Sequence, residues 1–161
     1  MKNFLLSVGL AVLVTVAQAD TKLPQSHVNS MACLENMGQS TSWGQCLSLI
    51  FEPCASFEVA STAHVACLQS EREGWTASMR LLQEDVTEAI TTKSAEDLAS
   101  ILSGWINYVS QKCQADGDPE GNLPLAAKQL GCQITEIVGL SGEYAACLEG
   151  RSTADYCVLK N

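Results

Sequence analysis

Eight cysteines, at positions 33, 46, 54, 67, 113, 132, 147 and 157, constrain this chain more than any other feature. All of them follow a stretch that reads as a secretory leader. Lys2 gives a positive start, Phe4 to Val16 is apolar, and Ala17-Gln18-Ala19 fits a small-residue cleavage site. The apolar run is too short for a membrane anchor, and no later stretch is apolar enough to span a bilayer. The expected organisation is therefore a signal peptide over residues 1–19 and one disulfide-rich helical domain over residues 20–161, starting at Asp20. An even cysteine count in an exported chain indicates a disulfide framework, and so a periplasmic or secreted location.

Eight cysteines allow more than a hundred pairings, so the pattern must be argued from local structure. Sequential pairs close loops around helix breaks, which gives Cys33–Cys46, Cys54–Cys67, Cys113–Cys132 and Cys147–Cys157. Nested pairing of Cys33 with Cys67 and Cys46 with Cys54 is the chief rival. The two N-terminal pairs share a spacing and Ala-Cys-Leu recurs at 32–34, 66–68 and 146–148, a faint internal echo.

No run alternates with period two, and helical periodicity dominates. A short helix is expected from about Val28 to Met37. A second, capped by Ser40, Thr41 or Ser42, should run through Ile50 to a stop at Pro53. Trp75, Met79, Leu82, Val86 and Ile90 mark one face of a long helix starting near Ser56. Ser94 and Asp97 suggest a capping box for the next helix, with Leu98, Ile101, Leu102, Trp105, Ile106 and Val109 buried. Leu130, Ile134, Ile137, Val138 and Leu148 give a third stripe, which Gly139 and Gly142 weaken. The expected fold is all-α: an antiparallel bundle of three longer helices plus short N-terminal ones, stapled by disulfides.

Without Lys2 the chain carries 8 basic against 18 acidic residues, a formal charge of −10. That disfavours nucleic acid and anionic membranes and suits a basic partner. Metal binding and cofactors are not expected: there is no CxxC, and His27 and His64 are far apart in sequence. Asp116-x-Asp118-x-Glu120-Gly121 matches half of a calcium loop, but Ala127 stands where the bidentate Glu is required, so an acidic surface turn is the simpler reading. Catalysis has little support. Gly139-Leu140-Ser141-Gly142 is not a nucleophile elbow, His64 falls one turn before Cys67, and Glu84, Asp85 and Glu88 suit a solvated helix face.

Trp105-Ile106-Asn107-Tyr108 is followed by Cys113, a Gly-containing loop, Cys132 and Thr135-Glu136; upstream stand Cys54, Thr62 and Cys67 before a long helix. In these anchors the chain resembles the LprI-like lysozyme-inhibitor family over roughly residues 54–140. Val109, and Ile137 or Val138, stand where that family usually carries Arg, and Trp75 and Arg80 occupy the region of its Asp and Leu-Asn. The resemblance implies an exported, non-enzymatic inhibitor whose partner is a basic lysozyme-type enzyme. Asp116, Asp118 and Glu120, held by a Cys113–Cys132 clamp, are the first expected partner contacts. Two other functions fit the same residues: a periplasmic helical carrier or structural protein for an apolar ligand, and an immunity protein against a secreted toxin.

Overall fold

Trp75 fixes the centre of the molecule. It is almost fully buried, and so are Leu68, Met79, Leu82 and Val86 on the same helical face. The computed structural model describes residues 23–36, 42–114 and 121–160. The expected leader and the turn bearing Asp116, Asp118 and Glu120 lie outside the described residues. Among the described residues five helices carry the fold: α1 (Gln25–Glu35), α2 (Trp43–Phe51), α3 (Thr62–Ala89), α4 (Thr92–Lys112) and α5 (Leu123–Leu148). A 3-10 turn at Glu52–Cys54 follows α2, with Pro53 at its start. Among the described residues the strand-like pairing is one isolated antiparallel bridge, Ile90 with Leu159. The all-α expectation holds.

Helix starts follow side-chain caps. Ser42 and Gln45 form a reciprocal capping box on α2. Ser61 Oγ accepts from the His64 amide at 3.1 Å, so α3 starts at Thr62 and not near Ser56. Thr91 caps α4 by accepting from the Ser94 amide, which moves that helix start upstream of the expected Ser94. Ser94 is instead buried inside the first turn, its Oγ accepting from Thr91 Oγ1 at 2.9 Å. Asn122 caps α5, with Pro124 in the first turn where a missing N–H costs nothing. α5 ends in a left-handed Gly150 (φ 68°), where Arg151 N donates to Ala146 O and Gly150 N to Cys147 O.

α3 and α5 share by far the largest interface and run side by side in the same direction. Arg72 Nη1 donates to Gln133 Oε1, and Leu82 faces the same cleft as Ala145 and Leu148 near the other end. The chain after α5 then pins the far end of α3: Lys160 N donates to Ala89 O at 2.8 Å and Thr91 N to Val158 O at 2.9 Å. α4 is the return leg between these parallel helices and meets α5 over only a short stretch. The expected arrangement is an antiparallel bundle of the three longer helices; the strongest pairing joins the first and third of them, α3 and α5. α1 and α2 pack on each other, and α1 also packs on α5.

All eight cysteines are bonded, as Cys33–Cys46, Cys54–Cys67, Cys113–Cys132 and Cys147–Cys157, which is the sequential arrangement. These tie α1 to α2, the 3-10 turn to α3, the end of α4 to α5, and α5 to the C-terminal tail. Closing loops of such lengths is worth about 3 kcal/mol each in the chain-entropy picture.

Candidate functional site

α5 is continuous across Gly139 and Gly142, so the glycines neither break nor shorten it. Their effect is on the surface. Thr135, Gly139, Gly142 and Ala146 are spaced four, three and four residues apart, a strip of small side chains along one line of the helix. A Cβ at Gly139 would meet nothing within 4 Å, so this position is the floor of an open groove.

Two tryptophans wall that groove. Trp43 opens α2, placed by the Ser42 cap, and keeps 42% of its surface exposed. Trp105 comes from α4 and is half-buried against the core. One arm of the groove lies between Trp43, Leu34, Gly142 and Arg151 and encloses about 290 Å³. The other runs between Trp43 and Trp105 over Gly139 and Leu140. Trp43, Gly139 and Glu143 line both arms, which makes the groove continuous.

The rim is acidic. Arg151 pairs with Glu35 at 3.2 Å and with Glu149, and Lys112 pairs with Glu136. The Glu136 carboxylate raises the Lys112 pKa, chiefly through that hydrogen bond, and Glu149 does the same for Arg151. Glu143 is exposed and has no ion pair among the described residues. Four carboxylates therefore face two cations around the groove. Glu143 also adds to the raised pKa of buried Tyr156, after burial itself.

A second feature lies beneath, in the core. His27 of α1 is buried and stacks on Trp75, ring centroids 3.8 Å apart and planes 15° apart. Its Nδ1 is 2.7 Å from Ser78 Oγ, which fixes the ring from α3. Burial lowers the His27 pKa. Trp75 Nε1 and Tyr144 Oη are buried and have no hydrogen-bond partner among the described residues. Burial first, and Tyr156 second, push the Tyr144 phenol up to about 12.

The residues weighed for catalysis are not brought together. Ser141 is buried and its Oγ donates to Ile137 O at 2.8 Å, inside its own helix. Cys67 is bonded to Cys54, and His64 Nδ1 accepts from the Ala60 amide at 3.2 Å. Glu84, Asp85 and Glu88 lie exposed on α3. Among the described residues no three His, Cys, Asp or Glu side chains are grouped to hold a metal ion, and no helix is long and apolar enough to cross a membrane. Asp116, Asp118 and Glu120 lie outside the described residues.

Sequence reasoning missed Trp43 and the His27–Trp75 stack. A tryptophan next to a capping serine carries no periodic signal of exposure, and a stack between residues 27 and 75 leaves no trace in spacing. The available hint was the pair of glycines in α5, which read as weakness when their role is to leave room.

Fold and site together define a disulfide-stapled, all-α domain with an aromatic-walled, acid-rimmed groove. No family model, no curated protein and no solved structure matches the chain.

Proposed function

We propose that this is an exported, non-enzymatic binding protein that engages a basic protein partner through the Trp43–Trp105 groove. The target class suggested by the sequence resemblance is a lysozyme-type glycosidase. One observation carries the reading. Exposed Trp43 and half-buried Trp105 flank an open floor and a carboxylate that has no ion pair among the described residues, on helices cross-linked by disulfides. Exposed Trp is unusual on a free surface and is enriched among the residues that dominate protein interfaces. A scaffold held by four disulfides loses little freedom on association, so more of the contact energy appears as affinity. The formal charge of −9 on the full chain would speed encounter with a cationic enzyme. Four disulfides also favour an oxidising compartment.

Calorimetry against a panel of lysozymes at low and physiological salt tests this. Binding is expected at low salt and should weaken as salt rises, because rim charges are screened. Trp43→Ala should lower affinity about tenfold or more, the cost of losing an interface anchor, while leaving the denaturation midpoint unchanged. Converting Asp116, Asp118 and Glu120 to amides tests the acidic turn as the alternative contact. Absence of binding to every lysozyme at low salt removes that target. Hydrolysis of peptidoglycan by the purified protein removes the non-enzymatic reading altogether.

A further inference from the structure

We propose that the groove between Trp43 and Trp105 takes an arginine side chain of the protein partner, its guanidinium stacked on indole and its N–H groups on the Glu143 carboxylate. This rests on the binding reading above and adds the chemistry of what the groove accepts.

The charge arrangement points to a cation. Of the acids around the groove, Glu136 is neutralised by Lys112, and Glu35 and Glu149 share Arg151. Glu143 alone among them has no cation of its own chain among the described residues, and it lines both arms of the groove. A partner's cation would complete a pattern that the chain has already made at the other carboxylates.

The walls point to a planar cation. An indole face is the strongest aromatic partner for a positive charge. Guanidinium is flat, weakly hydrated, and offers N–H groups in a fork that matches a carboxylate, so it can stack and pair at once. An ammonium does one or the other less well. The fold already places one cation over an aromatic ring at this edge: Lys112 Nζ lies 5.4 Å from the Tyr108 ring centroid.

The floor admits a chain. Gly139 leaves open space where any other residue would project a Cβ, and Gly142 next along the strip would meet only Leu34 Cδ1 at 3.7 Å. A long, slender side chain can lie along Thr135, Gly139 and Gly142 with its methylenes on the helix and its head at Glu143. Branched apolar side chains would fill this floor but leave the Glu143 carboxylate unanswered.

The test uses the three indole N–H signals of the full mature protein in a ¹⁵N-labelled sample, with N-acetyl-arginine amide as the probe. Trp43 and Trp105 should shift saturably, and buried Trp75 should not. N-acetyl-citrulline amide, the same shape without the charge, should leave all three in place. Glu143→Gln should weaken the arginine response about tenfold, the order of one charge-assisted contact. An unmoved Trp75 signal in that variant shows that the fold is intact. Equal response to citrulline, or a response unchanged in Glu143→Gln, overturns the inference. So does tighter saturation by a chitin trisaccharide, which would make the indoles a sugar platform. Movement of the Trp43 signal with protein concentration alone also overturns it, in favour of a second copy of the chain. Capture of a lysozyme that is lost in Trp43→Ala, with no arginine response at any indole, overturns the inference and keeps the binding reading. A saturable arginine response in a protein that captures no lysozyme does the reverse for that target.

Discussion

α3 and α4 carry the same kind of apolar pattern and meet different fates. On α3, Leu68, Trp75, Met79, Leu82 and Val86 are all buried, with no more than 8% of any exposed. On α4, Leu98 and Val109 are buried, Trp105 is half-buried, and Ile101 and Ile106 keep 47% and 55% of their surface. Both isoleucines were expected inside. The correction is geometric. Five residues along a helix turn the direction by about 140°, so Ile101 and Ile106 sit on the two flanks of the apolar arc. α3 lies against α5, with α1 stacked over Trp75 and the 3-10 turn at its start, and these together cover a wide arc. α4 has the edge of α5 and the C-terminal tail at its start, which cover only the middle of its arc. Periodicity tells which face is apolar. It does not tell how many neighbours arrive to cover it.

The sharpest break of this comparison is a pair of tryptophan truncations. Trp75→Ala should destabilise by about 3–5 kcal/mol, the usual cost of emptying a filled aromatic site. Trp105→Ala should cost less, about 1–2 kcal/mol, because the half-buried ring leaves the core only in part and less transfer energy is lost. Urea denaturation of both proteins decides it. Equal losses would mean that α4 is packed as tightly as α3 and that the contrast is false.

Removing one staple should come next. Cys113 and Cys132, both changed to Ser, should lower stability by about 3 kcal/mol, as the loop-closure argument gives. The loss should also be local. Hydrogen exchange should rise most along the second half of α4, which has few other ties, while α3 stays protected. Uniform loss of protection across both helices would show that α4 is part of the central cooperative unit.

What the sequence made legible divides along the same line. The cysteine pairs, the all-α class and the α3 and α5 stripes were readable because each rests on contacts local in sequence or on one strong period. Helix starts were off by a few residues at Thr62 and Thr92, since several Ser and Thr competed as caps and only the three-dimensional path of residues 54–61 and 90–91 chose among them. The groove was not readable. Trp43, Trp105 and Gly139 come from three helices, and nothing in the spacing of one predicts the other two. His27 was weighed only as a metal ligand, far in sequence from His64, and its partner Trp75 was correctly placed in the core without it.

That stack supplies a smaller, pH-dependent test of the central region. Burial holds the His27 pKa below its ordinary 6.5, so the folded state refuses a proton that the unfolded state accepts. The unfolded chain therefore binds more protons as pH falls below 6.5, and stability is lost in that direction. Glu71 acts in the opposite sense. Burial raises its pKa above 4.5, so its folded state takes a proton first and acidification favours folding there. The difference between parent and His27→Gln isolates the histidine. The parent should lose stability between neutral pH and about 5, and the variant should lose less over the same range. Parallel pH profiles would mean that His27 takes up its proton equally in the folded and unfolded chain, so that burial does not disfavour its charge; a parent that gains stability on acidification relative to the variant would mean that the fold holds His27 protonated on Trp75.

The smallest effects belong to the flanks of α4, and they separate stability from function. Ile101→Ser and Ile106→Ser should each leave the urea midpoint within about 0.5 kcal/mol of the parent, as surface changes do. Leu98→Ala, a few residues away and buried, should cost about 2–5 kcal/mol. The two isoleucines are not equivalent in position. Ile101, Trp105, Tyr108 and Lys112 follow steps of four, three and four, one ridge of the helix, and Lys112 carries that ridge to Glu136 on the groove side. Ile106 lies on the other flank. Ile101→Ser should therefore shift the Trp105 indole signal and weaken the arginine response, while Ile106→Ser should leave both in place. Equal perturbation by both would place the functional edge of α4 on neither flank, and the exposed isoleucines would then be scattered apolar surface of the kind every protein carries.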